Sequence, residues 1–299
     1  MFSGGKAHDL RSFLHPGMRK ARSACAPIRP GGATGIVVRS LILSIPWMGL
    51  AHAENSAVSS VNGKVEGIGA DVDRDGVQLG GTSLSVPLTP LSTHLGLQLD
   101  GATGEFASTD VNGYGLQLFW RDPNIGLAGV TAARIGFGST WGHRVGVEGE
   151  YYLDRFTYSL TAGLQNGELL NTGYANVDVR AYITDDLALE AGGGLYSDER
   201  TGHVGVEWQP LTFGHGNLSL FADVGLGNHG YDHTVAGVRL TFGGSGTTLK
   251  DRQRRDDLKN QLIGAIMRIG AGAGTASNEG GSSAASGGGG PPGGPGGPI

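Results

Sequence analysis

From Gly63 to Phe242 the chain repeats one stroke, in which segments of about ten residues alternate apolar with small or polar side chains and break at turn residues. The run Ala175-Asn176-Val177-Asp178-Val179-Arg180-Ala181 is typical. Successive strand side chains point to opposite faces, so its alanines and valines share one face and Asn176, Asp178 and Arg180 the other. A soluble sandwich turns the apolar face inward, whereas a membrane barrel turns it outward to lipid. No segment of the same region shows a sustained helical period, and no repeat carries a blade signature, so sandwich and barrel are the candidates.

The repeat predicts about twelve strands, near residues 63–70, 77–86, 94–101, 113–120, 126–137, 144–153, 156–165, 174–183, 187–196, 203–208, 217–227 and 234–242. A slip of phase between Leu79 and Leu84 suggests a bulge in the second. The connections fall into two sets. One comprises 87–93, 121–125, 154–155, 184–186 and 209–216. The other comprises 71–76, 102–112, 138–143, 166–173, 197–202 and 228–233. The first set has one member fewer, as an up-and-down arrangement of twelve strands requires, and both chain ends then lie on its side.

Charge separates the two models. The polar face carries Glu66, Asp100, Glu148, Glu150, Asp178, Arg180, Glu190, Glu207, Asp223 and Arg239, and Arg134 is placed with them. Lys64 is the only lysine between Glu54 and Gly243, which is unlike a strand face in bulk water. Gly96, Gly115, Gly146, Gly163, Gly192, Gly194, Gly205 and Gly225 fill much of the same face. Glycine packs nothing on an exposed sandwich strand but suits the bends and short space of a barrel interior. Trp120, Tyr151, Tyr152, Phe156, Tyr158, Tyr182, Trp208 and Phe242 gather near the end that holds the chain termini, as a headgroup girdle would, and Phe106, Trp141, Tyr174 and Tyr196 form a thinner set opposite.

Residues 1–53 read as a leader. Lys6, Arg11, Arg19, Lys20, Arg22, Arg29 and Arg39 make it basic, the apolar run 41–50 is too short to span a membrane, and Ala51-His52-Ala53 fits a small-x-small cleavage rule. Met18 is an alternative start. Cys25, the only cysteine, lies inside this leader, so disulfides and thiol chemistry are excluded from the mature chain. The whole chain carries a net charge of −5, and removing the basic leader leaves a strongly acidic remainder, which argues against a nucleic-acid partner.

With strand period, leader and a closing strand 235–242 that ends in Phe242 after a preceding Tyr231, the chain resembles a bacterial outer-membrane β-barrel protein of the small porin-like class, over roughly residues 57–243. The resemblance implies an all-β, transmembrane antiparallel up-and-down barrel at residues 54–243, export through a cleaved signal peptide, and an outer-membrane location in a Gram-negative envelope. It also implies the barrel-assembly machinery and outer-membrane lipid as partners, with Tyr231 and Phe242 as an assembly signal. The chain departs from the class in continuing beyond Phe242. There Leu258, Leu262, Ile266 and Ile269 share a helical face, which predicts an amphipathic helical tail over 244–270 that could plug the lumen, contact periplasmic partners or lie on the membrane. Residues 271–299, rich in Gly, Pro, Ser and Ala, predict disorder.

Motifs for chemistry are weak. Asp71-Val72-Asp73-Arg74-Asp75-Gly76 begins like a calcium loop, but Thr82 stands where the bidentate acid belongs, so an acidic hairpin turn is expected. The segment 228–233, with His229, Asp232 and His233, matches no metal spacing and reads as a solvated polar loop. Ser159, Ser219, His94 and His203 form no hydrolase signature, and Gly192-Gly193-Gly194 precedes no helix that could receive a phosphate. The expectation is therefore no enzyme, no cofactor and no metal. It is a narrow passive channel for small solutes whose interior charges prefer cations, or else a non-conducting structural or adhesive barrel, with a barrel enzyme and a soluble periplasmic β-sandwich ranked behind these.

Overall fold

The computed structural model describes residues 56–279, with side chains described through Ala271 except that of His229. The expected leader, and the part of the expected disordered tail beyond Glu279, lie outside these residues.

Twelve strands close into one antiparallel barrel in which each strand pairs with its sequence neighbours and the last pairs with the first. They are β1 (Asn62–Val72), β2 (Asp75–Pro87), β3 (Leu95–Phe106), β4 (Thr109–Asp122), β5 (Gly126–Phe137), β6 (Thr140–Leu153), β7 (Phe156–Gly167), β8 (Thr172–Thr184), β9 (Leu187–Tyr196), β10 (Glu199–Phe213), β11 (Gly216–Gly227) and β12 (Asp232–Gly243). Closure runs from Asn62–Gly243 to Val72–His233, so no strand edge is left with unpaired backbone groups.

The strands are longer than the sequence pattern suggests. Residues 102–112, expected as a connection, are mostly strand, and only Ala107 and Ser108 turn between β3 and β4. Both adopt positive φ (46° and 66°), as do Asp73 and Arg74 (53° and 73°) in the β1–β2 hairpin, the backbone that matches a tight turn to strand twist. The acidic hairpin expected at Asp71–Gly76 is thus formed by Asp73-Arg74. The bulge expected in β2 is absent, because its register is continuous against both neighbours. The phase slip has another cause. Val77 and Leu79 face a buried apolar cluster inside the barrel, whereas Leu84 and Val86 continue the outward row. Register shifts occur instead between Trp208 and Leu211 and between Tyr182 and Thr184.

The outer face is apolar. Val65, Val130, Val145, Val147, Leu160, Val177, Leu189, Val204 and Val238 are all exposed, a belt of a kind that a soluble monomer does not carry. Trp120, Tyr151, Phe156, Tyr158, Trp208, Phe213 and Phe242 ring it near the end that holds Asn62 and Gly243, here called the proximal end. Two rings assigned to this girdle, Tyr152 and Tyr182, point inward instead and are buried. At the opposite, distal end, Phe106, Tyr174 and Tyr196 are also interior.

The chain then re-enters its own barrel. Helix α1 (Leu249–Arg255) sits at the proximal mouth, with Leu249 buried against Tyr182 and Ala188, and α2 (Gln261–Glu279) climbs the inside of β1–β5. The single helix expected over 244–270 is therefore two helices broken at 256–260, and the second continues past Gly270 to Glu279, into the stretch expected to be disordered. Leu262, Ile263, Ile266 and Ile269 pack against Val72, Val77, Leu79, Phe106, Val111, Ile135 and Phe137. Each such buried side chain contributes roughly 1.5–3 kcal/mol.

If the belt faces hydrocarbon, Val177→Arg lowers the unfolding free energy in detergent or lipid by about 2–4 kcal/mol. Denaturant unfolding of the reconstituted protein measures this, and an unchanged midpoint would mean that the face meets water.

Candidate lumen and its plug

All the strand carboxylates assigned to the polar face do project inside. Glu66 meets Arg239 at 2.9 Å. Asp100 accepts from Ser83 Oγ at 2.6 Å and Gln98 Nε2 at 2.8 Å, and also from Gln117. Glu150 accepts from Tyr152 Oη at 2.8 Å. Glu190 pairs with Arg180, and Glu207 pairs with Arg239 at 2.9 Å. Arg134 is the exception. In β5, Leu127, Gly129, Thr131, Ala133, Ile135 and Phe137 face inward, which puts Arg134 on the outer face, stacked 4.2 Å over the Trp141 ring. The run Ala132-Ala133 offers no apolar phase from which to read this. The interior arginine of that wall is Arg144 on β6, 3.8 Å over the Tyr174 ring, and its even-numbered spacing from Glu148 and Glu150 was the available signal.

Between α1 and α2 the re-entrant segment is tied to the wall residue by residue. Thr248 caps α1 by accepting from Asp251 N at 3.2 Å. Arg252 donates to Gln209 Oε1 at 3.1 Å, Glu207 Oε1 at 3.2 Å and Ser219 Oγ at 3.0 Å. Gln253 Oε1 accepts from Tyr182 Oη and Arg180 Nη1, both at 2.9 Å, and its Nε2 donates to Glu207 Oε2 at 2.8 Å. Asp256 accepts from Ser245 N at 2.9 Å, Gly246 N at 3.0 Å and Ser59 N at 3.0 Å, which pins the loop to the start of the barrel. Asp257 lies between Lys64 Nζ, at 2.6 Å, and the Arg252 guanidinium. Lys259 Nζ reaches Glu190 at 2.8 Å. Asn260 Nδ2 donates to Thr82 O (3.4 Å) and Gly101 O (3.3 Å), while its Oδ1 accepts from Leu262 N at 3.0 Å and so starts α2. Gln261 donates to Glu148 Oε2 at 2.6 Å. At the distal end Arg268 meets Glu199 at 3.1 Å.

Burial pushes the Asp257 carboxyl up, but the adjoining Lys64 ammonium and Arg252 guanidinium outweigh it and hold the group well below the usual carboxylate range. Glu190, and after it Asp178, raise the Lys259 ammonium above its ordinary value. These partners lie nearly two hundred positions apart in the chain for Lys64 and Asp257, and no local spacing announces them.

The plug fills the β1–β5 side. On the other side remains a cavity of about 290 Å³, lined by Glu148, Glu150, Asp178, Glu190, Glu207 and Asp223 together with Arg144, Arg180, Arg239 and Lys259. One ring of this wall alternates large with empty: Asp178, Gly192, His203, Gly225 and His233 are successive register partners from β8 to β12. A Cβ at Gly192 would lie 2.1 Å from Asp178 Oδ1 and 2.6 Å from His203 Nε2. The glycine lets the two side chains meet at 2.9 Å across an intervening strand. On the other side His203 Nδ1 lies 2.9 Å from Asp223, which also takes His233 Nε2 at 2.6 Å. His233 is therefore interior and buried rather than part of a solvated loop, because β12 begins at Asp232. Tyr231, named with Phe242 as an assembly signal, also points inward and is buried, while Phe242 faces out.

No protein-family model matches the chain, and no curated protein matches it in sequence. Solved structures share its fold. A COG4313 outer membrane channel from Pseudomonas putida F1 superposes with a TM-score of 0.50 at 13% identity, covering 62% of this chain and 95% of that one. A KdgM porin gives a TM-score of 0.48 at 9% identity over 59% and 97%. The outer membrane protein Omp33 of Acinetobacter baumannii gives 0.39 at 12% identity over 61% and 98%. At 13% identity the likeness to the COG4313 channel shows the fold alone, a closed antiparallel β-barrel.

Proposed function

We propose that the protein is an exported outer-membrane barrel that passes small solutes, with a preference for cations, through a lumen narrowed by its own C-terminal segment. The observation that carries this reading is the acid-lined space left beside the plug. Twelve strands enclose more width than wall side chains fill, and the residual cavity faces the seven wall carboxylates Glu66, Glu148, Glu150, Asp178, Glu190, Glu207 and Asp223 against the four wall cations Lys64, Arg144, Arg180 and Arg239. Tight two-residue turns at Asp73-Arg74, Ala107-Ser108 and Ser197-Asp198 offer little to roof the distal mouth, so the constriction is the plug. The likeness to a barrel described as an outer membrane channel agrees with this reading. The apolar belt supports outer-membrane lipid as its surroundings, and the outward Phe242 near the end of β12 supports delivery by the barrel-assembly machinery.

A second reading has an observation of its own. The segment 252–261 is bonded to the wall at nearly every residue, as in a barrel that conducts nothing and serves the envelope structurally.

Planar-bilayer recording separates the two. The full mature chain is expected to show small conductance, and a chain ending at Gly243 severalfold larger, cation-selective steps. Silence in both supports the structural barrel, and anion selectivity contradicts the proposal. Asp257→Asn strands Lys64 and Arg252 beside a neutral group, a loss of about 3–5 kcal/mol in plug anchoring, and should give frequent openings. The sign of the pH dependence follows from the lowered Asp257 value. Its contribution is complete above the unfolded carboxylate value of about 3.9 and fades as pH falls through the folded one, so this anchor holds throughout the neutral range. Openings of the unsubstituted protein that grow between pH 7 and about pH 5 would contradict it.

A further inference from the structure

We propose that the lumen holds a divalent transition-metal site whose ligands are His203 Nε2 and the carboxylates of Asp178 and Glu190. One ligand atom from each of these three residues lies within 4.8 Å of the others, a separation that a single ion can bridge with slight rotation of the side chains. An imidazole with two carboxylates and open positions suits zinc-class ions rather than magnesium or calcium, which take oxygen alone.

The surroundings are arranged as for a ligand set. His203 Nδ1 is held by Asp223 at 2.9 Å, which fixes the ring and directs Nε2 at Asp178. This is the carboxylate–histidine support that metal-bound imidazoles carry. Arg180 holds one oxygen of Glu190, and the other oxygen, Oε1, faces the cavity and meets only Lys259, at 2.8 Å. Gly192 is the opening through which Asp178 and His203 meet, and any side chain there would occupy it.

Two further observations point to a missing cation. The Lys259 ammonium stands between the two carboxylates, 2.8 Å from Glu190 and 3.9 Å from Asp178, on a side chain still 56% exposed. It is a tethered positive charge at the position a bound ion would take. His233, 6% exposed at its side chain and lining the same cavity, leaves Nδ1 without a hydrogen-bond partner. Both ring nitrogens of His203 lie 2.9 Å from carboxylate oxygens, Nδ1 from Asp223 and Nε2 from Asp178. Metal entry uses the Nε2 lone pair, a proton held there leaves to solvent, and Lys259 is displaced from Glu190. No electron transfer is involved.

The test is cobalt titration of the full mature protein in detergent, followed by visible absorption and then by zinc competition. One equivalent should bind with the intense bands of a low-coordinate site. His203→Gln should weaken binding by at least about a hundredfold, and Asp223→Asn, which removes the support and leaves the ligands, by about ten- to a hundredfold. Lys259→Met should tighten binding, about tenfold, by removing the competing charge, a gain that misfolding cannot imitate. Absence of cobalt binding, binding unaltered in His203→Gln, or binding unaltered or weakened in Lys259→Met would each overturn the site.

Discussion

A closed twelve-strand barrel surrounds more space than its inward side chains can fill, and the rest of this structure follows from how that space is occupied. Closure itself is dictated by lipid, where no backbone donor or acceptor can go unpaired. The cost is a wide polar tube. Here the chain fills part of it with its own continuation, and the filling material differs along its length. At the proximal end it is ionic, with Arg252, Asp257 and Lys259 meeting Glu207, Lys64 and Glu190. At the distal end it is apolar, with α2 packed against Phe106, Ile135 and Val77.

That division explains the charge on the wall. Buried ions are tolerable only when paired and hydrogen-bonded, and most of the interior carboxylates have their cations supplied either by neighbouring strands or by the plug. Glu207 is the clearest case, for it receives Arg239 from β12 and Arg252 and Gln253 from α1. The plug is thus a charge partner as well as a steric one. The β8–β12 wall, which α2 meets only toward its distal end, uses a different device. Glycines between large polar residues let Asp178, His203, Asp223 and His233 form a continuous chain of contacts around the lumen. The same small residues that bend the wall make room for polar side chains to meet across it.

Much of the barrel was legible from the sequence, because an outer face in lipid imposes a strict period of two. Val177, Val179 and Leu189 follow it, and so do the inward Asp178, Arg180 and Glu190. Reading failed where the inner face is itself apolar. In β2 the inward Val77 and Leu79 mimicked a bulge, and in β5 the inward Ile135 and Phe137 hid the parity that turns Arg134 outward. Residues 102–112 look like loop because of Gly104 and Ala107-Ser108, whereas pairing with β2 and β4 carries the ladder to Phe106. The apolar face of Leu262, Ile266 and Ile269 announced a helix, but its partners lie on strands far away in the sequence. The same holds for the lumen histidines, whose meeting depends on register across β9 and β11.

Occupation of the lumen by the C-terminal segment is the central claim, and a cross-link tests it most directly. Gly115 on β4 faces Leu262 on α2, with 3.6 Å between a Cβ built at the glycine and the leucine Cδ2. Cys25 is the only native cysteine, so a chain with Cys25→Ser can carry Gly115→Cys together with Leu262→Cys as its sole thiols. A short bifunctional thiol reagent should join them within one molecule in the folded, membrane-inserted protein and fail to do so after unfolding. Free thiols at both positions in the folded protein, each open to a bulky hydrophilic reagent, would place the segment outside the barrel and contradict the account.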